Sequence, residues 1–255
     1  MVRRGVLKKA QKALLIVMAI IALAIVYQIC RAYQIISDAV AQVTPSPTWA
    51  VGASTPTPAS SWPKSTPTPL PGTPTVPPPK RVGIVAGHHL CDSGALCPDG
   101  LREVDITLAV AERVVALLRR RDYEVELLGE FDEALQGYQA DVLVALHADS
   151  CDVPGASGFK VTHVAHSAIP EEEGRLVECL QQEYGKATRL TYHADSITDD
   201  MCYYHALRKI ALDTPGAIIE MGFMRDDRYL LIYRQHTLAK GIANGIRCFL
   251  EGDGH

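Results

Sequence analysis

No basic stripe runs along residues 80–252 of this chain, and its formal net charge is −4 over 255 residues. That balance gives none of the electrostatic footprint of a nucleic-acid binder. Proline is scarce beyond residue 79, because twelve of the sixteen prolines lie between Thr44 and Pro79. Charge is scarce in that same stretch, TPSPTWAVGASTPTPASSWPKSTPTPLPGTPTVPPP, where Lys64 stands alone. Such a segment cannot bury a core and favours extended polyproline conformations. Residues 31–79 are therefore read as a juxtamembrane segment and spacer, whose proline-rich part reaches roughly 100 Å at about 3.1 Å per residue. What remains, residues 80–252, is free of this bias and long enough for one good core.

Charge is missing again from residues 13–30, ALLIVMAIIALAIVYQIC. Eighteen residues without a formal charge are near the short end of what spans a bilayer as a helix. Arg3, Arg4, Lys8, Lys9 and Lys12 precede the run. This places residues 1–12 in the cytoplasm and the rest of the chain outside, as a single-pass protein with an extracytoplasmic domain. A cleaved signal peptide is the rival reading, with a secreted product. Ala39-Val40-Ala41 resembles a cleavage site but lies far beyond the apolar run.

Seven cysteines follow from this compartment question. Cys30 sits at the membrane edge, and Cys91, Cys97, Cys151, Cys179, Cys202 and Cys248 lie in the folded part. Outside the cytoplasm these six permit disulfides. Cys91 and Cys97 can close a small loop, but the sequence alone does not choose among the possible pairings.

The folded part alternates strand and helix. RVGIVA (81–86), YEVELL (123–128), DVLVALH (141–147), GFKVTHVA (158–165) and GAIIEMGF (216–223) read as strands. Residues 101–121 read as a helix, with Leu101, Val104, Leu108, Ala111, Val115 and Leu118 recurring every three or four positions. Residues 170–184, 203–212 and 236–250 read as further helices. The pattern predicts an α/β domain with a twisted, mostly parallel sheet covered by helices on both faces. Sites in such sheets form at the C-terminal ends of strands.

Those ends carry chemistry. His88 and His89 follow the first strand, His147 ends the third, and Glu103 opens the long helix. Neighbouring side chains on an extended chain point to opposite sides, so both histidines are not expected to face one site. Glu220 lies within an otherwise apolar strand, where a carboxylate needs a partner or a metal. A hydrolytic zinc site uses three protein ligands and one open position. His88 or His89, Glu103 and His147 can supply the ligands, and Glu220 the general base. Each residue also has a plain structural explanation, such as a carboxylate placed by the helix dipole for Glu103. The other histidines are read as structural or surface groups, with His193 and His205 the two best able to reach the site.

Together these residues resemble a family, the zinc-dependent N-acetylmuramoyl-L-alanine amidases of bacterial cell walls. VAGHHLCDSGA is similar to the family's Asp-Pro-Gly-His-Gly-Gly followed by Asp-x-Gly-Ala, aligning Gly87, His88, Asp92, Gly94 and Ala95. GLRE supplies Gly100 and Glu103; ALHAD supplies His147, followed by Gly158-Phe159; EMGF supplies Glu220, Gly222 and Phe223. The resemblance implies zinc on His88, Glu103 and His147, Glu220 as the catalytic base, and peptidoglycan as the substrate. His89 then stands where the family has glycine and should point away. Cys91 and Cys97 are expected to fasten this loop as a disulfide. Departures occur at Val85-Ala86, His89-Leu90, Asp149, Asp226 and the segment after the second strand, where the family has Thr-Arg and a longer crossover. The altered segment keeps open a zinc hydrolase of a different amide or peptide; a non-catalytic wall-binding domain is a third reading, against which the intact His88, Glu103, His147 and Glu220 argue.

Overall fold

The computed structural model describes residues 77–252. The basic tail, the apolar run 13–30 and nearly all of the spacer lie outside the described residues. Among the described residues no helix is long and apolar enough to cross a membrane.

Five strands form one sheet: β1 (Arg81–Ala86), β2 (Glu124–Gly129), β3 (Val142–Asp149), β4 (Lys160–Thr162) and β5 (Gly216–Phe223). Their order is β2-β1-β3-β5-β4, parallel throughout except for β4, which runs antiparallel to β5. The helices are α1 (Glu103–Arg119), α2 (Pro170–Thr188), α3 (Asp199–Cys202), α4 (Arg228–Tyr233) and α5 (Gln235–Glu251). The expected elements are present with ends shifted by a few residues, apart from two differences that matter.

The first concerns the faces of the sheet. Val82, Ile84 and Ala86 of β1 share a core with Val144 and Leu146 of β3 and Ile219 of β5. All three long helices bury their apolar stripes in that core: Ile106, Val110 and Val114 of α1, Leu176 and Leu180 of α2, and Leu238 and Ile242 of α5. The opposite face carries Val85, Leu143, Ala145 and Ile218. It is covered by Leu135 of a 3-10 turn, Met201 of α3, and Tyr204, Ala206, Leu207 and Ile210 of an irregular segment. Long helices therefore lie on one face, not on both as expected. This thin cover on the second face leaves room for a cavity there.

The second difference is the segment 203–212, which reads as a helix but forms turns. Two of its backbone groups bond to another segment. Gly137 N–H donates to Lys209 O (2.7 Å) and Ala211 N–H to Tyr138 O (3.0 Å). Helix-like apolar spacing is satisfied here by tertiary contact, with the backbone polar groups paired across segments.

Two disulfides brace the fold. Cys179–Cys248 joins α2 to α5, with Cα atoms 5.7 Å apart. These helices approach closely: a Cβ at Gly245 would lie 2.8 Å from the Leu180 Cα. Cys97–Cys151, with Cα atoms 5.5 Å apart, ties the loop after β1 to the loop after β3. The expected Cys91–Cys97 pairing is thus incorrect. Cys97 is held near Leu101 by its own backbone hydrogen bond (2.9 Å), which brings its thiol to the neighbouring strand's loop.

Candidate metal centre

Strand alternation sets which side chains reach the thinly covered face. His147 shares parity with Leu143 and Ala145, and Glu220 with Ile218, so both emerge on that face. They are Cα partners across β3 and β5, and Lys160 of β4 is in turn the partner of Glu220. One row across three strands therefore reads His147, Glu220, Lys160. The register shifts just beyond it, between His147 and Asp149.

His88 sits in the turn that ends β1, at φ 64°. Glu103 is the first residue of α1, where the helix dipole favours its charge. Its Oε1 accepts from the Ala148 N–H (3.1 Å) and its Oε2 from the Ala95 N–H (3.0 Å). Glu103 Oε2 lies 3.2 Å from His88 Nε2, and Oε1 lies 3.0 Å from His147 Nδ1. One ligand atom from each of His88, Glu103 and His147 falls within 4.8 Å of the others. Gly94, at φ +60°, closes this loop; a Cβ there would lie 2.5 Å from His88 Cδ2 and 2.6 Å from Glu103 Oε2.

The three residues line a cavity of about 610 Å³ together with Glu220, Asp92, Glu130, Asp149, Lys160, Tyr204 and His205. The donor set fits a metal. Two imidazoles and one carboxylate, with an open side toward a cavity, match the three-ligand pattern of hydrolytic sites. The 3.0 and 3.2 Å contacts are close to the separation of about 3.3 Å between ligand atoms in a tetrahedral site with bonds of about 2.0–2.1 Å.

The electrostatics point the same way. Burial opposes ionisation of Glu103, but hydrogen bonds to His147 and His88 outweigh it and hold the carboxyl well below its usual range. Burial disfavours charge on the imidazole of His88, yet Glu103, Glu130 and Asp92 raise it to about 9. His147 is raised for similar reasons, burial being outweighed by Glu103, Glu220 and Glu130. This is a negative pocket that binds protons where a cation can replace them. Glu220 behaves oppositely. Burial, opposed by His147 and reinforced by Glu103 and Asp149, pushes its carboxyl up to about 7. Its Oε2 has no hydrogen-bond partner among the described residues.

All four residues singled out from the sequence thus line one cavity, and three of them form a group able to hold a metal ion. His89 does not line the cavity. His205 reaches it, whereas His193 bonds to the Ser157 carbonyl (2.7 Å) outside it. Glu130 and Tyr204 went unnoticed in the sequence. A carboxylate just after β2 was the available signal for Glu130.

A family model described as N-acetylmuramoyl-L-alanine amidase matches residues 82–248. The chain belongs to the N-acetylmuramoyl-L-alanine amidase family. The match takes in all five strands but for Arg81, and the three long helices but for the last three residues of α5. A probable N-acetylmuramoyl-L-alanine amidase, AmiB of Haemophilus influenzae, is 29% identical over 112 residues, covering 39% of this chain and 26% of AmiB. The matched part is about a quarter of that curated relative's length. Among solved structures, the amidase AmiC2 of Nostoc punctiforme superposes with TM-score 0.52 at 25% identity, covering 68% of this chain and 97% of its own. The amidase Ami1 of Mycobacterium smegmatis superposes with TM-score 0.58 at 18% identity, covering 68% and 98%, and so shares the amidase fold.

Proposed function

We propose that this chain is a zinc-dependent amidase that cleaves the bond between N-acetylmuramic acid and L-alanine in peptidoglycan. One observation carries the reading: Glu220 is the strand partner of His147 and opens into the same cavity as the His88, Glu103 and His147 group. Zinc held by those three residues would supply Lewis acidity to the amide carbonyl and lower the pKa of water.

The chain's own groups do the rest. Glu220 takes the proton of the attacking water and returns it to the leaving nitrogen. A buried carboxylate whose proton affinity is raised toward neutrality suits both halves of that transfer. Glu103 would offset part of the cation's charge; its carboxylate is held ionised by His147 and His88 and is positioned by the backbone N–H groups of Ala95 and Ala148. Asp92 bonds to His88 Nδ1 (2.6 Å) and fixes that ring.

The proposal extends to location. The run 13–30 anchors the chain in a membrane, the proline-rich spacer carries the domain away from it, and the domain works outside the cytoplasm on the wall. Two disulfides favour an oxidising compartment.

The deciding experiment digests purified sacculi with the wild type and Glu220→Ala side by side, with metal analysis of both proteins. Release of free stem peptides by the wild type alone supports the proposal. Cleavage of other peptides without that release favours a different amide substrate. Wall binding without any hydrolysis favours a binding domain.

A further inference from the structure

We propose that Tyr204 and Glu130 are positioning residues for the metal centre, holding His147 by its outward ring nitrogen and His88 by its backbone. This rests on His88, Glu103 and His147 being metal ligands. Neither Tyr204 nor Glu130 belongs to that ligand group.

Glu130 is buried just after β2. An isolated carboxylate there would be costly, so its partners explain its presence. Its Oε2 accepts from the His88 backbone N–H. Its Oε1 accepts from the Tyr204 hydroxyl (3.1 Å) and from His205 Nε2 (3.0 Å). Phe131 stacks flat on the His205 ring, with centroids 4.4 Å apart and planes 4° apart, and so holds that ring against Glu130. The carboxylate thereby ties the turn carrying one ligand to the irregular segment 203–212.

Tyr204 completes the link to the other ligand. His147 Nδ1 faces Glu103, so Nε2 faces away, 3.1 Å from the Tyr204 hydroxyl. With Nδ1 on the metal, Nε2 carries the proton and donates it to Tyr204, whose own proton goes to Glu130. The Tyr204 ring stands edge-on to His147, with centroids 5.2 Å apart and planes at 81°, and so packs against that ring. The result is a directed chain His147–Tyr204–Glu130 that fixes the tautomer and orientation of a ligand. Asp92 alone performs the same task for His88 Nδ1. Losing such an outer partner weakens metal affinity by about 10–100-fold.

The test measures zinc dissociation constants by chelator competition for the wild type, Tyr204→Phe, Glu130→Gln and the double variant. Each single variant should bind zinc about 10–100-fold more weakly. The double variant should fall well short of the product of the two, because the residues act in series. The visible spectrum of the cobalt-loaded Tyr204→Phe protein should differ from that of the wild type. Tyr204→Phe keeps the ring and tests the chain even if Glu130→Gln does not fold. Lower melting temperatures in the metal-free variants with unchanged zinc affinity and cobalt spectrum would overturn the proposal. A wild type that binds no zinc would instead overturn the metal reading on which it rests.

Discussion

His147 and Glu220 are direct Cα partners on adjacent parallel strands, so a ligand candidate and the proposed base leave the sheet side by side on one face. Strand pairing, not loop conformation, sets their separation. Both strands lie inside the sheet, each paired on two sides, with Leu146 and Ile219 fully buried beside them.

If Glu220 is the base and not a ligand, removing its charge should abolish turnover and spare the metal. Glu220→Gln should lower the hydrolytic rate by about 10²–10⁴-fold. Zinc content, read by elemental analysis after dialysis, should match the wild type. Loss of zinc along with activity would assign Glu220 to the ligand set.

The same carboxyl makes stability depend on pH in the metal-free domain. Its folded pKa of about 7 lies above the ordinary 4.5, so the folded state holds the proton more tightly than the unfolded chain. The resulting stabilisation is full below about pH 4.5 and is lost as pH rises toward 7. Glu220→Gln removes this dependence. Measured by urea unfolding with chelator present, the variant should gain on the wild type between pH 4.5 and pH 8, by about 3 kcal/mol at most. An equal offset at both pH values would contradict the assignment.

Two of the left-handed residues in the first loop should respond differently. Gly94→Ala places a Cβ against His88 and Glu103 at φ +60°, with no flexible end to move aside. It should weaken zinc binding by at least about 10-fold. Leu90 is exposed and sits at φ 68°, a conformation that costs a non-glycine residue roughly 1–2 kcal/mol. Leu90→Gly relieves that strain at some entropic cost, and its stability should stay within about 1 kcal/mol of the wild type. Thermal melts and zinc titration of the two variants check both.

The candidate site was more legible in the sequence than the cover around it. His88, His147 and Glu220 stand at or in strands whose apolar runs are plain, and Glu103 opens a periodic helix. Strand polarity then brings their ends together. Tyr204 was hidden because residues 203–212 have the apolar spacing of a helix, while their backbone pairs with residues 137 and 138. The placement of all long helices on one face was hidden for a related reason: amphipathic periodicity identifies a buried stripe but not which side of the sheet receives it. The pairing of Cys97 with Cys151 depends on two loops meeting across adjacent strands, which local spacing does not encode.

Lys160 is buried beside Glu220 and pairs with Asp149, its ammonium 5.4 Å from the centre of the Phe223 ring. Lys160→Met removes the cation paired with Asp149 and leaves that carboxylate beside Glu220 without it. Breaking a buried pair costs about 3–5 kcal/mol. Asp149 is partly exposed, so a loss of about 2 kcal/mol is expected. Adding Asp149→Asn should recover much of it, which a double-mutant cycle would show as coupling.

The two disulfides should separate stability from metal binding. They close loops of 54 and 69 residues, so the chain-entropy model gives each about 4 kcal/mol. Cys179→Ser with Cys248→Ser loosens α2 against α5, away from the cavity, and should lower the melting temperature while leaving zinc affinity intact. Cys97→Ser with Cys151→Ser frees the loop whose Ala95 N–H holds Glu103 and whose far end carries His88. That pair should lose similar stability and also bind zinc several-fold more weakly. Thermal melts and chelator competition on the two double variants decide the matter. Equal zinc affinity in both would mean that the cavity-side disulfide only stabilises the fold and does not preorganise the ligands.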